Sequence, residues 1–195
     1  MSASRRRALL LLVLLTGFFL RVRALAALPP GLTHDEAGHG HDAAAVLAGY
    51  RPLYFTVGYG REPLYDYFNA GWFALAGRSV FTLRLASVFW SLLALPLTYR
   101  WTRRWFGPLP ALLAMALLAV SFWPLATARQ ALRSTALPTL FLAAIAAFDG
   151  LQAATGGRET GDRRRRLADG GLTHRSSFTV HRSAARYRVG LWVLG

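Results

Sequence analysis

The sequence predicts an all-α integral membrane protein, and three observations lead to this class. Hydrophobic residues make up 54% of the 195 residues and charged residues only 16%. The apolar residues are gathered in long stretches, as transmembrane helices require. The basic residues number 23, all of them arginine, and they flank these stretches. Membrane topology explains such a distribution better than a nucleic-acid surface does, so no nucleic-acid partner is expected.

About four transmembrane spans are predicted from the apolar stretches. They cover about residues 8–28, 80–99, 109–128 and 136–148. The first apolar run is short for a span, but Arg21 and Arg23 suit a helix end that reaches into the head-group layer. An uncleaved signal anchor is therefore favoured over a signal peptide that is cleaved after Ala26.

The arginine clusters predict the orientation of the chain. They stand at residues 5–7, before the first span, at residues 100–104, after the second, and at residues 163–166, after the fourth. By the positive-inside rule, the N-terminus is cytoplasmic and the loop of residues 32–79 is extracytoplasmic. Residues 1–150 are interpreted as one membrane domain, and residues 151–195 as a basic tail that is disordered or aberrant.

The outer loop is expected to carry two short interfacial helices. The first covers about residues 36–48, with Thr33 or Asp35 as its N-cap. The second covers about residues 63–76, begins at a proline and is rich in aromatic residues, as helices at a membrane surface are.

An acidic pair, Asp35 and Glu36, is the first candidate site. A carboxylate at the outer end of a membrane span can act as a general base if its surroundings tune its pKa. Asp35, His39 and Asp42 have the spacing of one helical face. The alternative is that the acids stabilise a helix N-terminus through its dipole and that the histidines are solvated.

A metal site is the second hypothesis, because His34, His39 and His41 lie beside these acids. The protease motif H-E-x-x-H is missing, and His34 and His39 lie roughly 140° apart around a helix, which disfavours a metalloprotease. A divalent metal held jointly by one of these groups, such as His39, and a residue elsewhere stays open. Glu62, directly before Pro63, could meet Asp35 across a cavity at the membrane surface. For Glu62 the alternative is an acid that stabilises the start of the next helix.

A pair of arginines, Arg129 and Arg133, is expected on the outer side between the third and fourth spans. Their i, i+4 spacing suits a lipid phosphate, which guanidinium groups bind well. Ordinary interfacial arginines are the alternative interpretation.

The order of these motifs carries a family resemblance. Four elements follow one another: an arginine-ended first span, Leu28-Pro29-Pro30-Gly31-Leu32-Thr33-His34-Asp35-Glu36, Gly60-Arg61-Glu62-Pro63-Leu64-Tyr65, and Leu83-Arg84-Leu85-Ala86-Ser87. Over about residues 8–150 the chain resembles the polyprenyl-phosphate-dependent glycosyltransferases. These include protein O-mannosyltransferases and lipid A aminoarabinose transferases, which share the multi-spanning GT-C fold.

The resemblance implies transfer of a sugar from a polyprenyl-phosphate donor to a protein or lipid acceptor on the extracytoplasmic face, with inversion. It makes Asp35 the catalytic base, supported by Glu36. It places Glu62 at a metal near the donor phosphate, and Arg129 and Arg133 in the region that faces this phosphate. The implied location is the plasma (inner) membrane of a prokaryote, among membrane lipids.

Members of this family carry many more spans, so the chain is expected to be an incomplete N-terminal piece with a partial GT-C fold. Whether such a piece is active alone is a separate question. The alternative function is a non-catalytic four-span membrane protein whose outer loop is a binding or assembly surface.

Overall fold

The computed structural model describes residues 2–56 and 60–169, and within these ranges the chain is built from helices. The helices are α1 (Ala3–Val22), α2 (His34–Leu47), α3 (Leu64–Ala76), α4 (Val80–Phe106), α5 (Pro108–Val120), α6 (Phe122–Ala128), a 3₁₀ turn (Arg133–Thr135) and α7 (Ala136–Asp169). The all-α prediction is confirmed. α7 extends into the predicted basic tail, and residues 170–195 of that tail lie outside the described residues.

Local sequence explains where helices α2 and α3 begin and end. Thr33 caps α2: its hydroxyl accepts from the Glu36 backbone N–H, and the Glu36 side chain accepts from the Thr33 N–H. This reciprocal capping box satisfies two donors that a helix start leaves unpaired. α3 follows Pro63 and ends at Gly77, whose φ of 79° suits glycine. Both helices lie close to the predicted bounds.

The apolar helices fit a multi-pass membrane protein. Among the described residues, α4 and the segment Arg133–Gln152 are long and apolar enough to cross a membrane, and α5 with α6 would form a third span, bent by 55°. α1 is not among these candidate spans, because arginines near both of its ends shorten its uninterrupted apolar stretch. The chain turns at residues 23–31, where the sequence suggested helix to about residue 28.

Two apolar clusters hold the helices together. The outer cluster joins α2 and α3 to the start of α4, through residues such as Val46, Phe73 and Leu83. The inner cluster joins α1, α4 and α5, with Leu95 and Met115 at its centre. Small residues, including Ala111 and Ala119, line the inner cluster and allow close helix packing, as in other membrane proteins.

Candidate functional site

A buried ion pair between Glu36 and Arg84 joins α2 to α4. The Arg84 Nε donates to Glu36 Oε1 at 2.9 Å, and both side chains are completely buried. The second carboxylate oxygen accepts from the Thr33 N–H at 2.9 Å. The pair therefore joins the first turn of α2 to α4, 48 residues further along the chain.

The remaining donors of Arg84 hold the turn that follows α1. They reach the backbone carbonyls of Leu25 at 3.1 Å, Pro29 at 2.8 Å, and Gly31. This turn has lost helical hydrogen bonds, and arginine restores partners for its carbonyls. The tertiary contacts explain why the segment is a turn and not a continuation of α1.

Glu36 also contacts the segment between α6 and α7. Its Oε1 accepts from the backbone N–H of Ala131 at 3.1 Å. Burial alone would raise the pKa of Glu36, but hydrogen bonds from Arg84, Thr33 and Ala131 outweigh it and hold the pKa below its ordinary value. Glu36 is therefore an ionised structural group that links α2, α4 and the loop around Ala131.

Asp35 lies in the opposite environment. Its side chain is 78% exposed, and its nearest ionic neighbour is His34 Nδ1 at 3.9 Å. The neighbouring Glu36 fixes the backbone of this turn, and the Asp35 carboxylate is exposed at the protein surface. The two acids of the pair thus have separate physical roles.

The interface between α2 and α3 contains further buried charges. His39 Nδ1 lies 2.6 Å from Asp66 Oδ1, and Arg61 Nη2 lies 3.3 Å from Asp42 Oδ2. Asp42 and Asp66 are nearly inaccessible to solvent. The solvated-histidine interpretation is wrong for His39, which is buried. It holds for His34 and His41, which are exposed.

Tyr65 completes this interface. Its ring meets the His39 ring edge-on, with centroids 4.9 Å apart, and its hydroxyl shares a hydrogen bond with Ser87 of α4. Burial raises the pKa of Tyr65, so the hydroxyl stays protonated at physiological pH. Helices α2 and α3 are thereby fixed to the start of α4.

Glu62 and Arg133 are brought together, whereas Arg129 is directed elsewhere. Arg133 Nη1 lies 2.6 Å from Glu62 Oε2, and both side chains are substantially exposed. The Arg129 guanidinium donates to the carbonyls of Leu20, Arg21 and Leu28 at 2.9, 3.1 and 3.0 Å. α6 ends at Ala128, so the expected single helical face with both arginines does not form.

The resemblance also implied a metal near Glu62. Among the described residues, no group of three or more His, Asp or Glu side chains is placed to hold a metal ion. Glu62 faces the Arg133 guanidinium, and His39 is paired with Asp66. The described residues therefore do not assemble a ligand set for this metal.

A large apolar cavity lies next to the charged region. Its volume is about 690 Å³, and α4, α5, α6 and the start of α7 form its walls. Ser134 and Thr135, the two residues after Arg133, contribute to its lining. The cavity is therefore lined in part by the 3₁₀ turn that begins at Arg133.

Two functional positions were missed or misplaced at the sequence level. Arg84 was part of a quoted motif, but no role was assigned to it; a charge inside an apolar stretch was the available signal. Arg21 was expected in the head-group layer, and this expectation is wrong. The Arg21 side chain is fully buried between α1, α4 and α5.

These features define a multi-pass α-helical membrane protein with a charged site beside an apolar cavity. Within this class, residues 60–159 match the family described as dolichyl-phosphate-mannose-protein mannosyltransferase. The match covers 100 of the 195 residues, and the chain belongs to this family of membrane glycosyltransferases. Comparison with curated proteins and with solved structures gives no match.

The family match does not cover the site evenly. Glu62, Arg84 and Arg133 lie within residues 60–159, whereas Asp35 and Glu36 precede them. The hydrogen bonds of Glu36 to Arg84 and Ala131 connect the acidic pair to the matched segment. The two parts of the predicted site are therefore joined in space.

Proposed function

We propose that this chain transfers a sugar from a polyprenyl-phosphate donor to a protein or lipid acceptor on the extracytoplasmic face. The observation that carries the proposal is the bond from the Ala131 N–H to Glu36. This bond ties Glu36, the neighbour of Asp35, to the loop that leads to Arg133 and to the apolar cavity. The free carboxylate can act as the base, and the cation can bind the phosphate. The apolar cavity can hold the isoprenoid chain.

Asp35 is the proposed general base. The acceptor hydroxyl oxygen attacks the anomeric carbon, and the hydroxyl proton passes to Asp35. The bond from this carbon to the phosphate oxygen breaks, and the polyprenyl phosphate leaves with its electron pair. One such displacement inverts the anomeric centre. Glu36 takes no proton in this scheme, because its hydrogen bonds stabilise its ionised form.

Arg133 is the proposed contact of the donor phosphate. Its guanidinium is accessible and, within the part of the chain that the structure describes, is paired only with Glu62, on which it can be oriented. A guanidinium stabilises the charge that develops on a departing phosphate. The Arg129 guanidinium already donates hydrogen bonds to three carbonyls, so its proposed contribution is to fix the turn after α1. No step passes through a metal.

The isoprenoid chain of the donor is placed in the apolar cavity. Leu117, Leu118 and Leu142 line it, and its volume of about 690 Å³ accommodates several isoprene units. Burial of this chain contributes affinity in proportion to the apolar area removed from water.

Asp35→Asn tests the proposal. The purified protein in liposomes, supplied with polyprenyl-phosphate-mannose and an acceptor, should transfer sugar, and Asp35→Asn should lower turnover by about 100-fold or more. Asp149→Asn is the matched control, because Asp149 pairs with Arg104 at the other end of the spans. Donor binding should be unchanged in both variants. Full turnover by Asp35→Asn would show that another group is the base.

The alternative, a non-catalytic protein with a binding surface on its outer loop, is supported by exposed side chains after α2. Leu53 is 93% exposed, and Tyr50 and Tyr54 are also largely exposed. If the wild-type protein binds no polyprenyl phosphate and transfers no sugar, this alternative replaces the glycosyltransferase.

A further inference from the structure

Arg21 is a charged side chain buried inside the helical bundle. Its Nε donates to Ser91 of α4 at 2.9 Å, and its Nη1 donates to Gly17 of α1 at 3.1 Å. The remaining bonds go to α5, to the carbonyls of Ala119 at 2.9 Å and Leu118 at 3.4 Å. All these acceptors are neutral, so the charge lacks a carboxylate partner within the described residues. A buried cation is costly, which indicates a specific role.

Two of the three carbonyls that Arg21 binds, those of Leu118 and Ala119, belong to the last turn of α5. In a continuous helix the carbonyls of Leu118 and Ala119 would accept from the N–H groups of Phe122 and Trp123. Here α5 ends at Val120, and α6 continues at an angle of 55°. Arg21 therefore supplies donors that the broken helix no longer provides.

The sequence contains two residues that favour this arrangement. Pro124 has no N–H for the carbonyl of Val120, and its ring would clash with that carbonyl in a straight helix. Gly17 allows α1 to pack closely against α4 beside Arg21: a Cβ at this position would lie 2.9 Å from a methyl carbon of Leu95, and 3.4 Å from Arg21 Nη1. The proline opens the helix, and the glycine lets α1 pack closely against α4 where Arg21 reaches Ser91.

The break forms much of the wall of the apolar cavity. Leu117, Leu118 and Ser121 line it before the bend, and Trp123, Pro124 and Thr127 line it after the bend. Ser91, the α4 partner of Arg21, is also part of the lining. A straight helix would move the residues after the bend and change the shape of this wall.

We propose that Arg21 is a positioning residue that keeps the third span broken and thereby shapes the cavity for a long-chain polyprenyl phosphate. This inference rests on the proposed function for the identity of the ligand. It assigns Arg21 no contact with the reacting atoms. Its effect reaches the ligand through the carbonyls of α5 and the bend between α5 and α6.

The first measurement reports the bend without any ligand. The sequence has no cysteine, so Leu109→Cys in α5 and Ala126→Cys in α6 can be spin-labelled in nanodiscs. Arg21→Gln should lengthen the distance between the labels, because a straighter helix separates them. Arg23→Gln is the matched control, since Arg23 is exposed and two residues away, and it should leave the distance unchanged. An unchanged distance in Arg21→Gln overturns the inference.

The second measurement reports binding of a fluorescent C55 polyprenyl phosphate in phosphatidylcholine nanodiscs. Arg21→Gln should weaken binding by about tenfold or more, while Arg23→Gln should bind as the wild type does. Wild-type binding at Arg21→Gln overturns the inference. If the wild-type protein binds no probe but the label distance responds to Arg21→Gln, the proposed function fails and the role of Arg21 in the break stands.

A double variant separates positioning from general stability. Arg21→Gln combined with Pro124→Ala can form a continuous helix, in which the carbonyls of Leu118 and Ala119 recover helical donors. Its unfolding temperature should return toward the wild-type value, while probe binding stays weak because the wall is straight. Recovery of both unfolding temperature and binding would reduce Arg21 to a structural role and overturn the inference.

Discussion

Asp35 and Glu36 show how adjacent residues of one type acquire different chemistry. Glu36 points into the protein and accepts hydrogen bonds from Arg84, Thr33 and Ala131. Asp35 is one residue earlier on the first turn of α2 and faces solvent. Glu36 holds the turn rigid, and rigidity of the supporting residues is what places a reactive group accurately.

Removal of Arg84 should be strongly destabilising. Arg84→Leu leaves the Glu36 carboxylate buried without its cation and removes donors from three carbonyls. Loss of one partner of a buried ion pair costs about 3 to 5 kcal/mol. Unfolding in detergent micelles, followed by circular dichroism, should show this loss. Arg78→Leu is the control, because Arg78 is an exposed arginine just before α4. An equal free energy of unfolding in both variants would contradict the structural role of Arg84.

Acidification should lower the stability of the folded protein, because Glu36 becomes protonated. Its pKa in the folded state lies below the ordinary value, which is about 4.3 in model peptides. The unfolded state therefore binds the proton more readily, and the stabilisation is fully present above about pH 4.3. It is lost as the pH falls through the folded-state pKa. The unfolding temperature should fall over this range in the wild type, and less steeply in Glu36→Gln. If the unfolding temperature depended on pH equally in both proteins, Glu36 would be excluded as the source of the loss of stability in acid.

At the scale of helices, local signals predicted α2 and α3 well because their ends are determined locally. The Thr33 capping box, Pro63 and Gly77 act within one helical turn. The end of α1 is different, since the turn after it is held by Arg84 and Arg129, which are distant in sequence. The break between α5 and α6 had a local signal in Pro124, but an apolar composition alone suggested one straight span.

The candidate site also has a part that the sequence could predict and a part that depends on distant contacts. Asp35, Glu36, Glu62 and Arg133 could be selected from charge in an apolar sequence. The hydrogen-bond and ion-pair partners of these residues depend on how α2, α4 and the loop before α7 pack. Sequence spacing placed Arg129 with Arg133, yet the end of α6 at Ala128 directs them to different partners.

The α2–α3 pair should open locally when its buried charges are disrupted. His39→Ala leaves the Asp66 carboxylate without its partner at 2.6 Å, and a buried unpaired carboxylate is costly. Amide hydrogen exchange in α2 and α3 should accelerate, while exchange in α4 and α5 stays slow. The exposed His41→Ala serves as the control. Acceleration along all helices would mean that the pair does not behave as a separate unit.

At the scale of the whole molecule, the proposed transfer requires one orientation in the membrane. The arginines at residues 5–7 and 100–104 favour the cytoplasmic side, which leaves Asp35, Glu62 and Arg133 outside. Since the sequence lacks cysteine, single-cysteine variants can report sidedness in intact bacterial cells. His34→Cys should react with an impermeant maleimide, because His34 is fully exposed. Arg103→Cys should react only after the membrane is permeabilised.

The opposite labelling pattern would have a definite consequence. Asp35 would then face the cytoplasm, together with Arg133 and the end of the cavity next to it, and an extracytoplasmic acceptor could not reach the base. The charges of the site would still be joined through Glu36 and Arg84, since that geometry is internal to the fold. Orientation therefore decides which acceptors the site can meet, whereas the buried contacts decide whether there is a site at all.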